Sequence, residues 1–221
     1  MALADSVAAL TAPGTPFEME TVTIRGVPTR TWKNAPASIR MLVEAARMHG
    51  DRTATILDDE RVSYAAQFKA IATLANHLAS LGGGKGDRVA FATRNLPEWP
   101  VIFFAVTSIG AIAVPLNAWW TGAELTYGIA DSGAKVLVMD GERYARMADT
   151  IHECCGLEHI IVTRPVQDLG DGPAKLEDVI GRPADWADLP DVALPVADIA
   201  PDDDATIFYT SGTTGAPKGA L

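Results

Sequence analysis

The chain reads as an α/β protein with a mostly parallel, doubly wound sheet and helices on both faces. Three observations predict this. Short apolar runs recur at 87–93, 111–114, 135–139 and 159–162, as expected of strands covered on both faces. Segments of helical spacing lie between them, and parallel neighbours need such right-handed crossovers because no tight turn can join them. The 221 residues are 48% hydrophobic and 21% charged, which suits a soluble globular chain able to bury a core.

Taken in order, Ile39, Leu42, Val43 and Ala46 share one helical face after Ser38, and Gly50 follows as a stop. The stretch 61–81 predicts a second helix, with Ser63 as N-cap and Phe68, Ile71, Leu74, Ala75 and Leu78 at three-and-four spacing. The glycine-rich run 82–86 turns that helix into the strand at 87–93; Asp87 stands where a dinucleotide fingerprint needs its third glycine. A helix at 97–109 and a strand at 111–114 come next. Thr121 and Glu124 stand in capping-box spacing at the start of another helix, and Gly133 ends it. A strand at 135–139, a helix at 142–155 and a strand at 159–162 complete the pattern.

After Arg164 the composition changes. Pro165, Pro173, Pro183, Pro190, Pro195 and Pro201 are scattered among aspartates, which disfavours long regular elements. The organisation expected is an N-terminal α/β subdomain at 1–164, an acidic, proline-rich surface connection at 165–203 with one short helix at 176–180, and a last segment at 204–221 that begins a second, interrupted subdomain. There Asp202, Asp203 and Asp204 precede a β-rich run at 205–209.

The formal charge of −10 argues against nucleic acid as a partner, since phosphate-backbone affinity is built from Lys and Arg. It does not exclude one local anion site, because charges beyond a Debye length of about 8 Å are largely screened. Cys154 and Cys155 are adjacent and suit neither a useful loop closure nor a zinc site, so a reducing, cytoplasmic setting is expected. There is no Lys or Arg before Arg25, so no basic leader is indicated. The longest apolar stretch, 101–116, is interrupted by Thr107, Ser108 and Gly110 and falls short of a bilayer span, so no transmembrane segment is expected. His49, His77, His152 and His159 share no ligand spacing with carboxylates, and no metal site is assigned to them. Trp119 and Trp120 are read as packing residues.

The chemistry is concentrated in 209–219, YTSGTTGAPKG. Gly212, Gly215 and Gly219 allow backbone N–H groups to converge on an anion without a Cβ in the way. Thr210, Ser211, Thr213 and Thr214 add hydroxyls, and Lys218 supplies a mobile positive charge. Charge-assisted hydrogen bonds contribute roughly 1.5–3 kcal/mol each, so a few that converge can hold a polyphosphate. The loop is not the Walker type, in which Gly-Lys-Ser/Thr runs into a helix. Here Pro217 precedes the lysine and Gly219 follows it, so no helix is expected to begin at Lys218.

This string resembles the signature phosphate loop of the AMP-forming adenylating enzymes, the superfamily that includes acyl-CoA and aryl-CoA synthetases, luciferases and peptide-synthetase adenylation domains. Val62, Ser63 and Tyr64 with Phe68 resemble its early Leu-Thr-Tyr-x-x-Leu segment, and GAIAVPLN at 110–117 resembles its Gly-Ala-x-x-x-Pro-Leu segment. The resemblance runs from about Pro36 onward. It implies a carboxylic acid activated by ATP with Mg2+ to an acyl-adenylate, followed by transfer to coenzyme A, with fatty acids the first choice of substrate and aryl or amino acids behind. It also implies that Thr210, Ser211, Gly212, Thr213, Thr214, Gly215 and Lys218 hold the phosphates, with Lys218 catalytic. The family's adenine, acyl and C-terminal lysine motifs have no counterpart before Leu221, so the chain alone is expected not to form acyl-AMP and to need the missing C-terminal portion. The alternative left open is a non-enzymatic nucleotide- or phosphate-binding module.

Overall fold

The computed structural model describes residues 2–210, 215 and 217–221. A helix α1 (Leu3–Leu10) and a hairpin of β1 (Met19–Ile24) and β2 (Val27–Trp32) come first. The hairpin turns through Arg25 and Gly26, both at positive φ, as a two-residue turn matched to strand twist requires. Helix α2 (Ile39–Ala46) starts where Ser38 Oγ accepts the Met41 N–H. A second hairpin, β3 (Thr53–Leu57) and β4 (Glu60–Ser63), leads into α3 (Tyr64–Ser80). The helix expected over 61–81 therefore begins at Tyr64, and its first residues belong to β4. Ser63 is the N-cap, accepting from Ala66 N–H at 3.2 Å.

The alternating part follows as β5 (Arg88–Ala92), α4 (Glu98–Ser108), β6 (Ile112–Pro115), α5 (Gly122–Ser132), β7 (Val136–Asp140), α6 (Gly141–Arg146) and β8 (His159–Thr163). Helix α5 carries the reciprocal Thr121–Glu124 capping box and ends at Gly133 in the left-handed conformation. The helix expected over 142–155 stops instead at Arg146, and a single 3-10 turn, Ile151–Glu153, follows. Asp149 and Thr150 are weak helix formers, and the Thr150 hydroxyl is engaged with that of Thr126 at 3.0 Å.

These strands pair in parallel in the order β6-β5-β7-β8, and a short strand β9 (Ala174–Lys175) extends the sheet beyond β8. Alternate residues serve opposite faces. Val89, Phe91, Val136 and Val138 join α3 and α4 in one apolar cluster, while Ala90, Ala92, Leu137 and Met139 join Leu125 and Ile129 of α5 in the other. Among the described residues no helix is long and apolar enough to cross a membrane.

Residues 165–203 correct one expectation. They do not merely run over the surface. After β9, helix α7 (Leu176–Ile180) lies where a short helix was read, and with the 3-10 turn Pro183–Asp188 it places Leu176, Ile180 and Trp186 in the α3–α4 cluster, joined by Leu194. Leu176 and Ile180 share one face of a helix of little more than one turn, and Trp186 and Leu194 follow from a 3-10 turn and extended backbone, so no run is long enough for periodicity to register. Trp186 is 0% exposed. Trp186→Ala should lower stability by about 3–5 kcal/mol, read as a shift in the urea unfolding midpoint; a change within experimental error would mean the segment is dispensable to the core.

Candidate functional site

The last two strands, β10 (Phe208–Thr210) and β11 (Lys218–Ala220), form an antiparallel hairpin with Thr210 opposite Lys218 and Tyr209 opposite Gly219. The ends of the phosphate-loop string are thus brought together, and Lys218 begins a strand rather than a helix. Directly opposed residues share a face, so Thr210 and Lys218 stand side by side, both exposed. Gly215 has φ +136 with open space at its Cβ position, a conformation reserved for glycine. Of the other candidates, Ser211, Gly212, Thr213 and Thr214 lie outside the described residues.

The hairpin is joined to the parallel sheet at its β6 edge. Ala113 N–H donates to the Ala205 carbonyl and Ile207 N–H to the Ala113 carbonyl, each at 2.9 Å, which makes Thr206 a parallel bridge partner of Ala113. The preceding aspartates are tied down from the main body. Arg25 pairs with Asp204, and Lys85 with Asp203 at 2.7 Å. The Lys85 ammonium holds the Asp203 carboxyl below its ordinary range.

Tyr209 turns toward the body. Its hydroxyl donates to Asp131 Oδ2 at 2.7 Å, and the Gly128 carbonyl lies at 3.3 Å. Its ring meets Trp120 edge-on at 5.7 Å. Trp120 therefore packs as expected. Trp119 does not: it is 71% exposed, and its ring is covered by the Arg94 guanidinium at 4.0 Å, a cation–π contact at the surface.

Two ionic clusters at the C-terminal ends of the parallel strands were not read from the sequence. At the end of β7, Asp140 caps α6, accepting Arg143 N–H at 3.0 Å, and accepts the Arg94 N–H at 2.9 Å. It also holds the buried Arg143 guanidinium through both carboxylate oxygens, at 2.9 and 2.8 Å. Arg143 Nε then donates to the Ala118 carbonyl at 3.0 Å, and Arg146 to those of Ala118 and Trp120 at 3.1 and 2.8 Å. An Asp with Arg three residues on, directly after an apolar run, is the signal that could have found this pair. At the end of β8, Arg164 at φ 49 bridges Glu98, which is 2% exposed, and Glu60, each at 2.8 Å. Ligands of open α/β sheets bind outside this carboxyl edge.

With this geometry in place, comparison with known proteins identifies the class. Residues 42–221 match the family model described as AMP-binding enzyme, and the chain belongs to that family, the AMP-forming adenylating superfamily its loop resembles. It is 32% identical over 188 residues to a crotonobetaine/carnitine–CoA ligase of Salmonella arizonae, which covers 82% of the chain and 35% of the relative. It is 34% identical over 166 residues to a long-chain-fatty-acid–CoA ligase of Mycobacterium tuberculosis, covering 74% of the chain and 30% of the relative. An anthranilate CoA ligase solved with anthranoyl-AMP superposes with a TM-score of 0.73 at 25% identity, over 84% of the chain and 35% of that structure. The chain thus spans about a third of the length of these relatives. The α/β class expected from the alternating runs is the one these neighbours share.

Burial, then the Asp131 carboxylate, and to a lesser degree Tyr127, hold the Tyr209 phenol above its ordinary value of 10.0. The unfolded phenol therefore loses its proton at lower pH than the folded one. The stability contributed by the neutral phenol is complete below about pH 10 and is lost as pH rises through the folded value. Tyr209→Phe should flatten the fall in stability as pH rises above about 10, measured by urea midpoints; parallel curves would contradict this.

Proposed function

We propose that the chain is the N-terminal part of an ATP-dependent carboxylate–CoA ligase, with a fatty acid as the first choice of carboxylate, acting in the cytoplasm. The observation that carries this reading is the β10–β11 hairpin, which sets Thr210 beside Lys218 at the two ends of YTSGTTGAPKG. In this reading residues 1–164 form the bulk of the first α/β subdomain, 165–203 pack on it and connect it onward, and 204–221 begin a second one. A long-chain fatty acid is the substrate named for one relative and anthranilate for another, so an aryl acid is the runner-up.

The described residues suit polyphosphate. Gly215 offers backbone no other residue adopts without strain, Thr210 a hydroxyl, and Lys218 an exposed ammonium. Ser211, Gly212, Thr213 and Thr214 are assigned to the same task. Lys218 would neutralise charge on the departing pyrophosphate, a gain realised as the bond to the α-phosphate breaks. Mg2+ would arrive on the nucleotide and screen its phosphates; among the described residues there is no group of three or more His, Cys, Asp or Glu side chains to hold it independently. Coenzyme A would accept the acyl group in the second step.

In the longer ligase, Lys218→Ala should lower kcat/KM for ATP by about 10²-fold in a carboxylate-dependent pyrophosphate-release assay. Unchanged ATP affinity and turnover would remove Lys218 from this role. The 221-residue chain by itself should give no carboxylate-dependent ATP–pyrophosphate exchange, since the groups assigned here hold phosphates only; measurable exchange would show that the reaction needs nothing beyond Leu221.

A further inference from the structure

Tyr209 sits where the hairpin meets the α/β body, and its surroundings are cleared for it on two sides. A Cβ on Gly219, its cross-strand neighbour, would come within 3.3 Å of Tyr209 Cζ and 2.9 Å of Ile207 Cγ2. A Cβ on Gly128 would come within 2.9 Å of Trp120 Cζ3 and 3.0 Å of a Leu116 methyl. The two contacts at 2.9 Å are closer than real side chains come, and those at 3.0 and 3.3 Å are tighter than most, so the two glycines leave room for the Tyr209 and Trp120 rings to meet.

The loop that carries Trp120 is itself fixed. Trp120 N–H donates to the Asn117 carbonyl at 3.0 Å, and the Ala118 and Trp120 carbonyls receive the Arg143 and Arg146 guanidinium groups. Contacts therefore run without a break from the Asp140–Arg143 pair at the end of β7, through residues 117–120, to the Tyr209 ring. Successive residues of a strand face opposite ways. With the half-buried Tyr209 turned to the body, the exposed Thr210 is turned away from it, and its cross-strand neighbour Lys218 with it.

The geometry points to Asp131, Trp120 and Tyr209 as positioning residues that set where Thr210 and Lys218 meet the nucleotide's phosphates. This rests on the ligase reading and deepens it: the stem of the phosphate loop takes its orientation from α5 and the 117–120 loop, and the body thereby determines how the clamp is aimed. Catalysis of phosphoryl and adenylyl transfer depends on such placement, and a displacement of about an ångström is costly.

The test has two readouts. In the 221-residue chain, Asp131→Ala and Tyr209→Phe should speed amide hydrogen exchange in β10 and β11 by about fivefold or more while β5, β7 and β8 keep their rates. Asp131→Asn, which retains an acceptor oxygen, should behave as wild type. In the longer ligase the same two variants should raise KM for MgATP by about three- to tenfold and leave KM for the carboxylic acid unchanged, while Asp131→Asn keeps the wild-type KM. Unaltered hairpin exchange overturns the proposal, and so does faster exchange with an unaltered MgATP KM, which would make the contact purely structural. A wild-type protein inert toward ATP with every carboxylic acid tried would instead remove the ligase reading, and the loop's assigned task with it.

Discussion

Burial of the parallel sheet on both faces governs where polar chemistry can occur in this chain. With α3 and α4 on one side and α5 on the other, β5 and β7 expose no side-chain face to water. Functional polar groups are then confined to the strand ends, and in a parallel sheet the C-terminal ends lie along one edge. Asp140 is the clearest consequence. Its charge, buried at the end of β7, is compensated by the equally buried Arg143 and by two backbone N–H groups. An ion pair so placed is weak evidence for stability, because desolvation offsets much of the attraction. What it supplies is direction: Arg143 has donors to spare, and one of them holds the loop bearing Trp119 and Trp120.

The β10–β11 hairpin depends on that body. Its ladder comprises three residue pairs, and two-stranded hairpins are marginal in water unless they pack on something else. Its attachments among the described residues are the backbone bridge at Ala113 and the Tyr209 contacts. One is made by backbone at the edge of the sheet and the other by side chains over α5, so together they restrain both position and twist. A loop strung between strands held in this way has its ends fixed before any ligand arrives, which reduces the ordering cost of binding.

The interior of the fold was legible in the sequence because period and capping agree there. Val89 and Phe91 alternate with Ala90 and Ala92, and Ser38, Ser63, Thr121 and Gly133 stand at the helix ends where their side chains or backbone freedom are used. The β1–β2 and β3–β4 hairpins were missed because only Val62 among their residues is buried, so hydrophobic alternation was too weak to reveal them, although Arg25-Gly26 marked a turn. The loop string stood out because the phosphate clamp proposed for it needs glycines, hydroxyls and a cation close together in sequence. Its support did not. Arg164 meets Glu98 across 66 positions and Tyr209 meets Asp131 across 78, and pairs so distant leave no periodic trace in one sequence.

On the proposed reading, a chain with ten surplus negative charges also has to present its loop to a polyphosphate, and the three aspartates just before β10 would oppose this if left alone. Two of the three carboxylates are paired with cations of the main body. Arg25 reaches the Asp202 carbonyl and the Asp204 carboxylate, and Lys85 holds Asp203. These pairs are exposed and contribute little to stability. Their electrostatic effect is local, however, and a neutralised pair projects a far weaker field than a bare carboxylate over a distance comparable with the Debye length. The acidic run can therefore serve as an anchor for the chain entering Phe208 while setting a weaker repulsive potential at Thr210 and Lys218 than three bare carboxylates would. An overall acidic surface and the proposed anion site at the hairpin are thus compatible, because Arg25 and Lys85 neutralise two of the three carboxylates that precede the loop.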